Sequence, residues 1–442
     1  MTSAATRDAG LVRAIGVRRL TATIVNSTIG AGIFVLPAVA ASGLGAAAPL
    51  AYLVCAAAMA LIVLCFASAG SRVTLTGGLY AYIDVAFGPY LGFIGGVLYW
   101  LAATFAVASV ASAFAGSLGV LWPPLAAGPG RALLLVALFG GLAAVNVRGV
   151  ARGAGLVEAV TIAKLVPLLV FVATGIWFIH GDYLSWPAVP AAADVGRTAI
   201  VLIFAFVGIE VALVPSGEIE HPSRTVPRAI FLALAITTAL YLLVQTVAQG
   251  LLGPSIAHDA AAPLAEAASR VLGRGGRLLV IAGAAMSMFG YVSGDMLGSP
   301  RLLFAFARDG FLPSALAHLH PRFRAPDAAI VTYAVIVSAV AVSSSFGALA
   351  VLANVASLSM YLLCVGASYE LQRRGVREDG APFELPGGAA VPLLAAAVIV
   401  WLLAQATPRE FAIEAAVLAA ATVLYLGRAL ARRRSRATAK PA

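Results

Sequence analysis

The chain is short of charge, of lysine and of cysteine, and each shortage excludes something. Only 11% of its 442 residues are charged, against 61% that are hydrophobic. A soluble domain carries about a quarter charged residues, so a water-soluble globule is excluded. The three cysteines, Cys55, Cys65 and Cys364, all fall inside apolar runs. A disulfide framework is therefore excluded, and they read as small packing residues. The five histidines show no metal-ligand spacing, and His318 and His320 sit in a polar loop that faces water. No metal or other cofactor is expected. The net charge of +10 lies in short loops with no aromatic-interleaved basic face, so nucleic acid is not an expected partner. The chain has neither the His or Asp/Glu clusters of a membrane enzyme nor the appended domain of a sensor, and it is read as a non-enzyme.

What is present is a succession of apolar runs. They fall at about 20–41, 48–70, 90–120, 131–148, 155–179, 196–216, 228–252, 277–306, 328–344, 347–369, 391–407 and 411–430, each of a length that crosses or nearly crosses a bilayer as a helix. The expected fold is an all-α polytopic membrane protein of about twelve crossings, with the lipid bilayer as its medium. Residues 253–276, with Glu266, Arg270 and Arg274 among alanines, read as a short helix on the outer surface. Basic residues set the orientation. With the N-terminus inside, only Arg131, Arg197, Arg270, Arg274, Arg277 and Arg409 fall outside, and Lys164 lies within a span. Both termini are thus expected in the cytoplasm of a bacterial-type inner membrane. Residues 1–430 are expected to form one membrane domain and 431–442 a basic tail. The Ala38–Ala41 stretch imitates a signal cleavage site, but Pro37 and Asn26-Ser27-Thr28 make a poor signal core. The mature chain is expected to start near Met1.

Two runs are interrupted. Asn-Ser-Thr-Ile-Gly-Ala-Gly-Ile-Phe-Val-Leu-Pro (26–37) places Gly30, Gly32 and Pro37 inside the first crossing, where glycine weakens a helix and proline lacks a donor. Phe-Ala-Phe-Val-Gly-Ile-Glu-Val-Ala-Leu-Val-Pro (204–215) does the same in the sixth. In each, a glycine precedes a proline by seven residues. Freed backbone groups at membrane depth are tolerated only against protein or a watery cavity. Paired interrupted crossings in two halves of a chain point to the binding site of a secondary transporter. N–H groups at Ile29, Gly30, Ala31 and Gly32 would suit a carboxylate. Carbonyls at Phe204, Ala205, Val207 and Gly208 would suit an ammonium group. The competing reading of a lone Gly-Ala-Gly is close helix packing; two matched breaks argue against it.

These stretches resemble the amino acid–polyamine–organocation (APC) transporter superfamily. The 26–37 segment is similar to its first-span signature. Phe204–Glu210 with Gly-Glu-Ile-Glu-His-Pro-Ser-Arg-Thr-Val-Pro-Arg (217–228) resembles its sixth span and following loop, and Gly-Ser-Pro-Arg (298–301) with Ala-Arg-Asp-Gly-Phe-Leu-Pro (307–313) its eighth-span exit. The resemblance implies the leucine-transporter fold: inverted repeats at about 17–180 and 195–370, with helices 11 and 12 added at about 391–430. It also implies that Gly30, Ala31 and Gly32 line the carboxylate site, and that Phe204, Ala205, Val207 and Gly208 line the other wall, with Phe204 as a gate.

Lys164 lies about ten residues into the fifth span, some 15 Å from its inner end, which is far for a snorkelling lysine. A cation there requires a partner. Burial penalises the charged form of an amine, which opens proton release during the cycle. In proton-coupled relatives a lysine here replaces a bridging sodium ion, so the resemblance implies protons and no sodium. Glu210 is in place to titrate beside the substrate or to bind a cationic one. Asp295, in the eighth span, matches no acid of the family; it is expected to pair with Lys164 and is grouped with Lys164 and Glu210 as a candidate for proton coupling. Glu218 and Arg224 read either as a gate salt bridge or as a solvated loop. The expected activity is import of an amino acid with protons; exchange of amino acids or polyamines on the same fold is the alternative. No obligate protein partner is expected.

Overall fold

The computed structural model describes residues 15–148, 164–213, 218–257 and 262–438, apart from 74, 76, 187 and 379. Pro215, residues 155–163 of the fifth run, and the chain ends therefore lie outside the described residues. The described chain is helical throughout, and its one β-bridge joins Ile15 to Ile219. The first apolar run is two helices, α1 (Val17–Thr28) and α2 (Gly32–Leu44), separated by Ile29-Gly30-Ala31. There follow α3 (Ala48–Arg72), α4 (Leu79–Phe87), α5 (Pro89–Gly119), α6 (Gly128–Val147) and α7 (Lys164–Phe178). The sixth run is α8 (Ala192–Leu202) followed by a tight turn at Ile203–Ala205 and irregular backbone. The rest are α9 (Pro222–Leu252), α10 (Pro263–Gly298), α11 (Pro300–Arg308), α12 (Asp327–Ser343), α13 (Phe346–Arg373), α14 (Ala390–Leu403) and α15 (Pro408–Thr438).

Local chemistry explains many of these boundaries. Pro89, Pro222, Pro263, Pro300 and Pro408 each open a helix, where the missing N–H would have had no partner. Gly273, with φ of 59°, turns α10 between its first ten residues and the long crossing that follows. A helix of ten residues, Pro263–Leu272, thus precedes the eighth crossing within the stretch 253–276. The nine-residue α4 is an element that the hydropathy pattern did not give, being too short to register as a run. Conversely, α15 runs on to Thr438, into the stretch expected as a tail.

Among the described residues, seven helical stretches are long and apolar enough to cross a membrane, and α7, α12 and α14 are shorter apolar helices. Together they make a multi-pass membrane protein. The core lies where α5 packs along α13 and α9 packs along α3 and α1. Cys55, Cys65 and Cys364 are buried thiols within it. Two arginines tie helix ends together. Arg72, 2% exposed at the end of α3, donates to Glu384 Oε1 at 3.1 Å and to the Val376 carbonyl at 3.4 Å. It thereby straps the segment after α13 across the end of α3. Arg131, in α6, donates to the carbonyls of Ala341, Val342 and Ser344 at 2.8–3.1 Å and to Ser112 Oγ at 2.9 Å.

Those three carbonyls end α12 and have no intrahelical donor, and a cation suits that end of the helix dipole. Arg131→Ala is expected to remove roughly 2 kcal/mol of stability, the scale of hydrogen bonds to a charged group. Thermal unfolding of the purified protein in detergent checks this, and Arg131→Lys should recover only part of the loss, because an ammonium cannot span three carbonyls as a guanidinium does.

Candidate functional site

The break after α1 leaves carbonyls without helical donors, and each finds a side chain. Lys164 Nζ donates to the carbonyls of Asn26 and Ile29, both at 2.6 Å. The Thr28 carbonyl accepts from Gly30 N at 3.0 Å and lies 3.1 Å from the Tyr241 hydroxyl. The Gly30 carbonyl is 3.4 Å from Ser287 Oγ. Three elements, α7, α9 and α10, thus close one interrupted turn. The ammonium sits at the carbonyl end of α1, where the helix dipole is negative.

The second break is satisfied in the same manner. Tyr241 Oη is 2.7 Å from the Ala205 carbonyl, so one phenol lies against both breaks. Ser27 Oγ donates to the Gly208 carbonyl at 2.8 Å. Gly208 N donates to Glu210 Oε2 at 3.0 Å, and the Tyr361 hydroxyl donates to the same oxygen at 2.6 Å. Asn354 Nδ2 donates to the Ile200 carbonyl at 2.7 Å. The two breaks also touch directly: a Cβ on Gly32 would stand 3.2 Å from Ala205 Cα, and one on Gly208 would stand 2.7 Å from the Ser27 carbonyl oxygen. Gly208 has φ of 107°, a region that side-chain-bearing residues avoid.

Between the breaks is a small cleft lined by Ser27, Thr28, Gly30, Ala31, Gly32, Val110, Phe204, Val207 and Tyr291. Its floor is the start of α2, whose N-cap Ala31 makes no side-chain cap, so the first N–H groups of that helix have no internal acceptor. Phe204 meets Phe346 of α13 edge to face, ring centres 5.7 Å apart. Among the described residues no three His, Cys, Asp or Glu side chains cluster as metal ligands do.

The sequence-derived residues distribute unevenly over this geometry. Gly30, Ala31, Gly32, Phe204 and Val207 line the cleft, while Ile29, Ala205 and Gly208 build the breaks from behind. Glu210 is drawn into the wall by Gly208 N–H and Tyr361, and does not line the cleft, contrary to the expectation that it faces the substrate. The expected Lys164–Asp295 pair is not formed. Lys164 binds the carbonyls of α1, and Asp295 accepts from Ser299 Oγ and Tyr333 Oη, each at 2.7 Å. A cation can satisfy itself at a helix end without any acid, a solution that charge counting overlooks. Arg224 is exposed, and no ion pair joins it to Glu218 among the described residues. Instead the backbone at Glu218 and Glu220 pairs with Ile15, N–H to carbonyl at 3.0 and 3.1 Å. Val110 and Tyr291 were not singled out from sequence. Tyr291, four residues before an intramembrane acid on one helix face, was the available signal.

Gly208→Ala is expected to lose of order 1–3 kcal/mol from backbone strain, with a further penalty from the 2.7 Å approach to Ser27. A fall in unfolding temperature, with Gly32→Ala also destabilising but not forced into a strained backbone conformation, would agree with this geometry.

A family model described as amino acid permease matches residues 15–422. Among individual proteins, an uncharacterised transporter of Mycobacterium tuberculosis is 34% identical over 362 residues, covering 76% of this chain and 78% of its own. The serine/threonine exchanger SteT of Bacillus subtilis is 30% identical over 341 residues, covering 74% and 75%. The methylthioribose transporter of the same organism is 28% identical over 417 residues, covering 91% and 90%. With its match running over nearly the whole length, this chain belongs to the amino acid permease family of the APC superfamily, multi-pass membrane transporters rather than enzymes.

Proposed function

We propose that the protein is a secondary active importer of an amino acid, coupled to protons, working by alternating access around the cleft between the first and sixth crossings. The observation that carries this is the pair of breaks held against each other around that cleft. At α2, unpartnered N–H groups at the positive end of a helix favour a carboxylate. Across the cleft, Ser27, Thr28 and the backbone of the sixth crossing supply acceptors for an ammonium group. Phe204, Val110 and Val207 make the remaining lining largely apolar, which favours a small or hydrophobic neutral side chain. Phe204 acts as the gate, and the Ile15–Ile219 bridge, with the backbone of Glu218 and Glu220 paired to Ile15, forms the inner closure. In this reading the two halves are inverted repeats, both termini are cytoplasmic in a bacterial-type inner membrane, and the coupling ion is a proton rather than sodium.

Lys164 supports the coupling assignment. As an ammonium it holds two carbonyls of α1; as a neutral amine its grip on α1 weakens, so protonation and the position of α1 are linked. The serine/threonine exchanger among the relatives favours a second reading, obligate exchange with no net proton movement.

Proteoliposomes separate the two. With L-serine and L-threonine as probes, the importer takes up label into empty vesicles and more so under an inward proton gradient. An obligate exchanger shows uptake only when the vesicles are preloaded. Lys164→Ala is expected to abolish the response to the gradient, because the carbonyls of Asn26 and Ile29 then lose their titratable donor. Gradient-stimulated uptake persisting in that variant would remove Lys164 from the coupling.

A further inference from the structure

Along α10, Tyr291, Asp295 and Ser299 recur at four-residue spacing, which stacks them on one face of the helix. In an apolar crossing this makes a polar stripe. Its upper end is in the cleft, where Tyr291 is 3.6 Å from the point at which a Cβ on Gly30 would stand. At its centre, Asp295 Oδ1 accepts from Ser299 Oγ and Oδ2 accepts from Tyr333 Oη of α12, each at 2.7 Å. Its lower end is Ser299, buried at the joint where α10 gives way to α11.

Asp295 is bonded by Ser299 on its own helix and by Tyr333 from α12, and Tyr99 from α5 and Tyr291 on its own helix lie within electrostatic range of it. No cation is paired with it among the described residues. The next acid is Glu210, and the phenols of Tyr99 and Tyr291 lie within electrostatic range of both carboxyls. The nature of the two bonded partners matters. A lysine or arginine can only donate, and so stabilises only a carboxylate. A hydroxyl donates to a carboxylate and accepts from a carboxylic acid. Asp295 therefore keeps a hydrogen-bonded environment in both protonation states, while an ionised carboxylate at this depth without a countercharge is costly.

We propose that Asp295 is a proton-binding carboxyl of the transport cycle, linked to the occupancy of the cleft through Tyr291 on the same face of α10. This rests on the proton-coupled reading above and adds to it a second site, separate from Lys164. A proton from water converts the carboxylate to the acid, Ser299 or Tyr333 then turning from donor to acceptor, and its release restores the original arrangement. No other bond is made or broken.

Two measurements on the full-length protein test this. The first needs no substrate: acid-minus-neutral infrared difference spectra in liposomes. A carboxylic-acid carbonyl band that is lost in Asp295→Asn and kept in Glu210→Gln is expected. A spectrum unchanged in Asp295→Asn overturns the assignment. The second uses L-serine with a trapped pH dye. Proton influx per serine taken up is expected to fall by about tenfold or more in Asp295→Asn, because an amide in that place binds no proton. Influx per serine equal to wild type overturns the role of Asp295 and leaves proton coupling standing. Serine uptake without proton influx in the wild type overturns both. A merely structural clamp between α10 and α12 would move neither the band nor the ratio, since asparagine retains donor and acceptor for the two hydroxyls.

Discussion

A helix interrupted inside a membrane must find new partners for every peptide group that it frees, and this requirement organises the protein. In hydrocarbon each orphaned group is worth several kcal/mol. After α1 the orphans are the carbonyls of Asn26, Thr28, Ile29 and Gly30, and they are met by Lys164, Tyr241 and Ser287. These come from the fifth, seventh and eighth crossings. The break is therefore not a local weakness of Gly30-Ala31-Gly32. It is a junction that three other helices complete: removing Lys164 or Ser287 leaves a carbonyl of this break unpaired, and removing Tyr241 takes the donor from the Ala205 carbonyl of the other.

The same junction makes the two breaks a mechanical unit. Ser27 holds the Gly208 carbonyl, Tyr241 touches both breaks, and Gly32 lies against Ala205. Displacing α1 alone would strand polar groups on the sixth crossing, so the two breaks form one hydrogen-bonded unit. The α5–α13 pair, by contrast, is joined by broad apolar packing. The same α13 also reaches the sixth crossing through Tyr361 to Glu210 and Asn354 to the Ile200 carbonyl, so the frame is tied to that break by buried hydrogen bonds.

How much of this was legible beforehand differs by residue. The apolar runs gave the class of fold, because the length of a spanning helix is set by bilayer thickness rather than by tertiary detail. The breaks were legible because Gly30, Gly32, Gly208 and Pro37 contradict their surroundings. Lys164 was visible as a lone cation at depth, but its partner was misread. The expectation matched charge with charge and chose Asp295, whereas helix-end carbonyls carry no mark in a sequence. Glu210 was legible as buried, but not the direction in which it points: two residues beyond a glycine at φ of 107°, its orientation depends on how that glycine turns the chain. Val110 and Tyr291 were missed because nothing local distinguishes a cleft-lining valine or tyrosine from a core one. The short α4 was missed because nine residues leave no hydropathy signature.

The misreading of Lys164 and Asp295 bears on mechanism. A direct ion pair would have satisfied both charges at once, and its attraction would have opposed any change in either. The structure separates them. The ammonium is held only by carbonyls, which accept from an amine in either protonation state. The carboxyl is held only by hydroxyls, which can reverse their polarity. Neither group is tied to a countercharge that a change of state would strand. Two intramembrane ionisable groups that served packing alone would have gained from being neighbours. Kept apart on neutral partners, neither group has its charge balanced by the other.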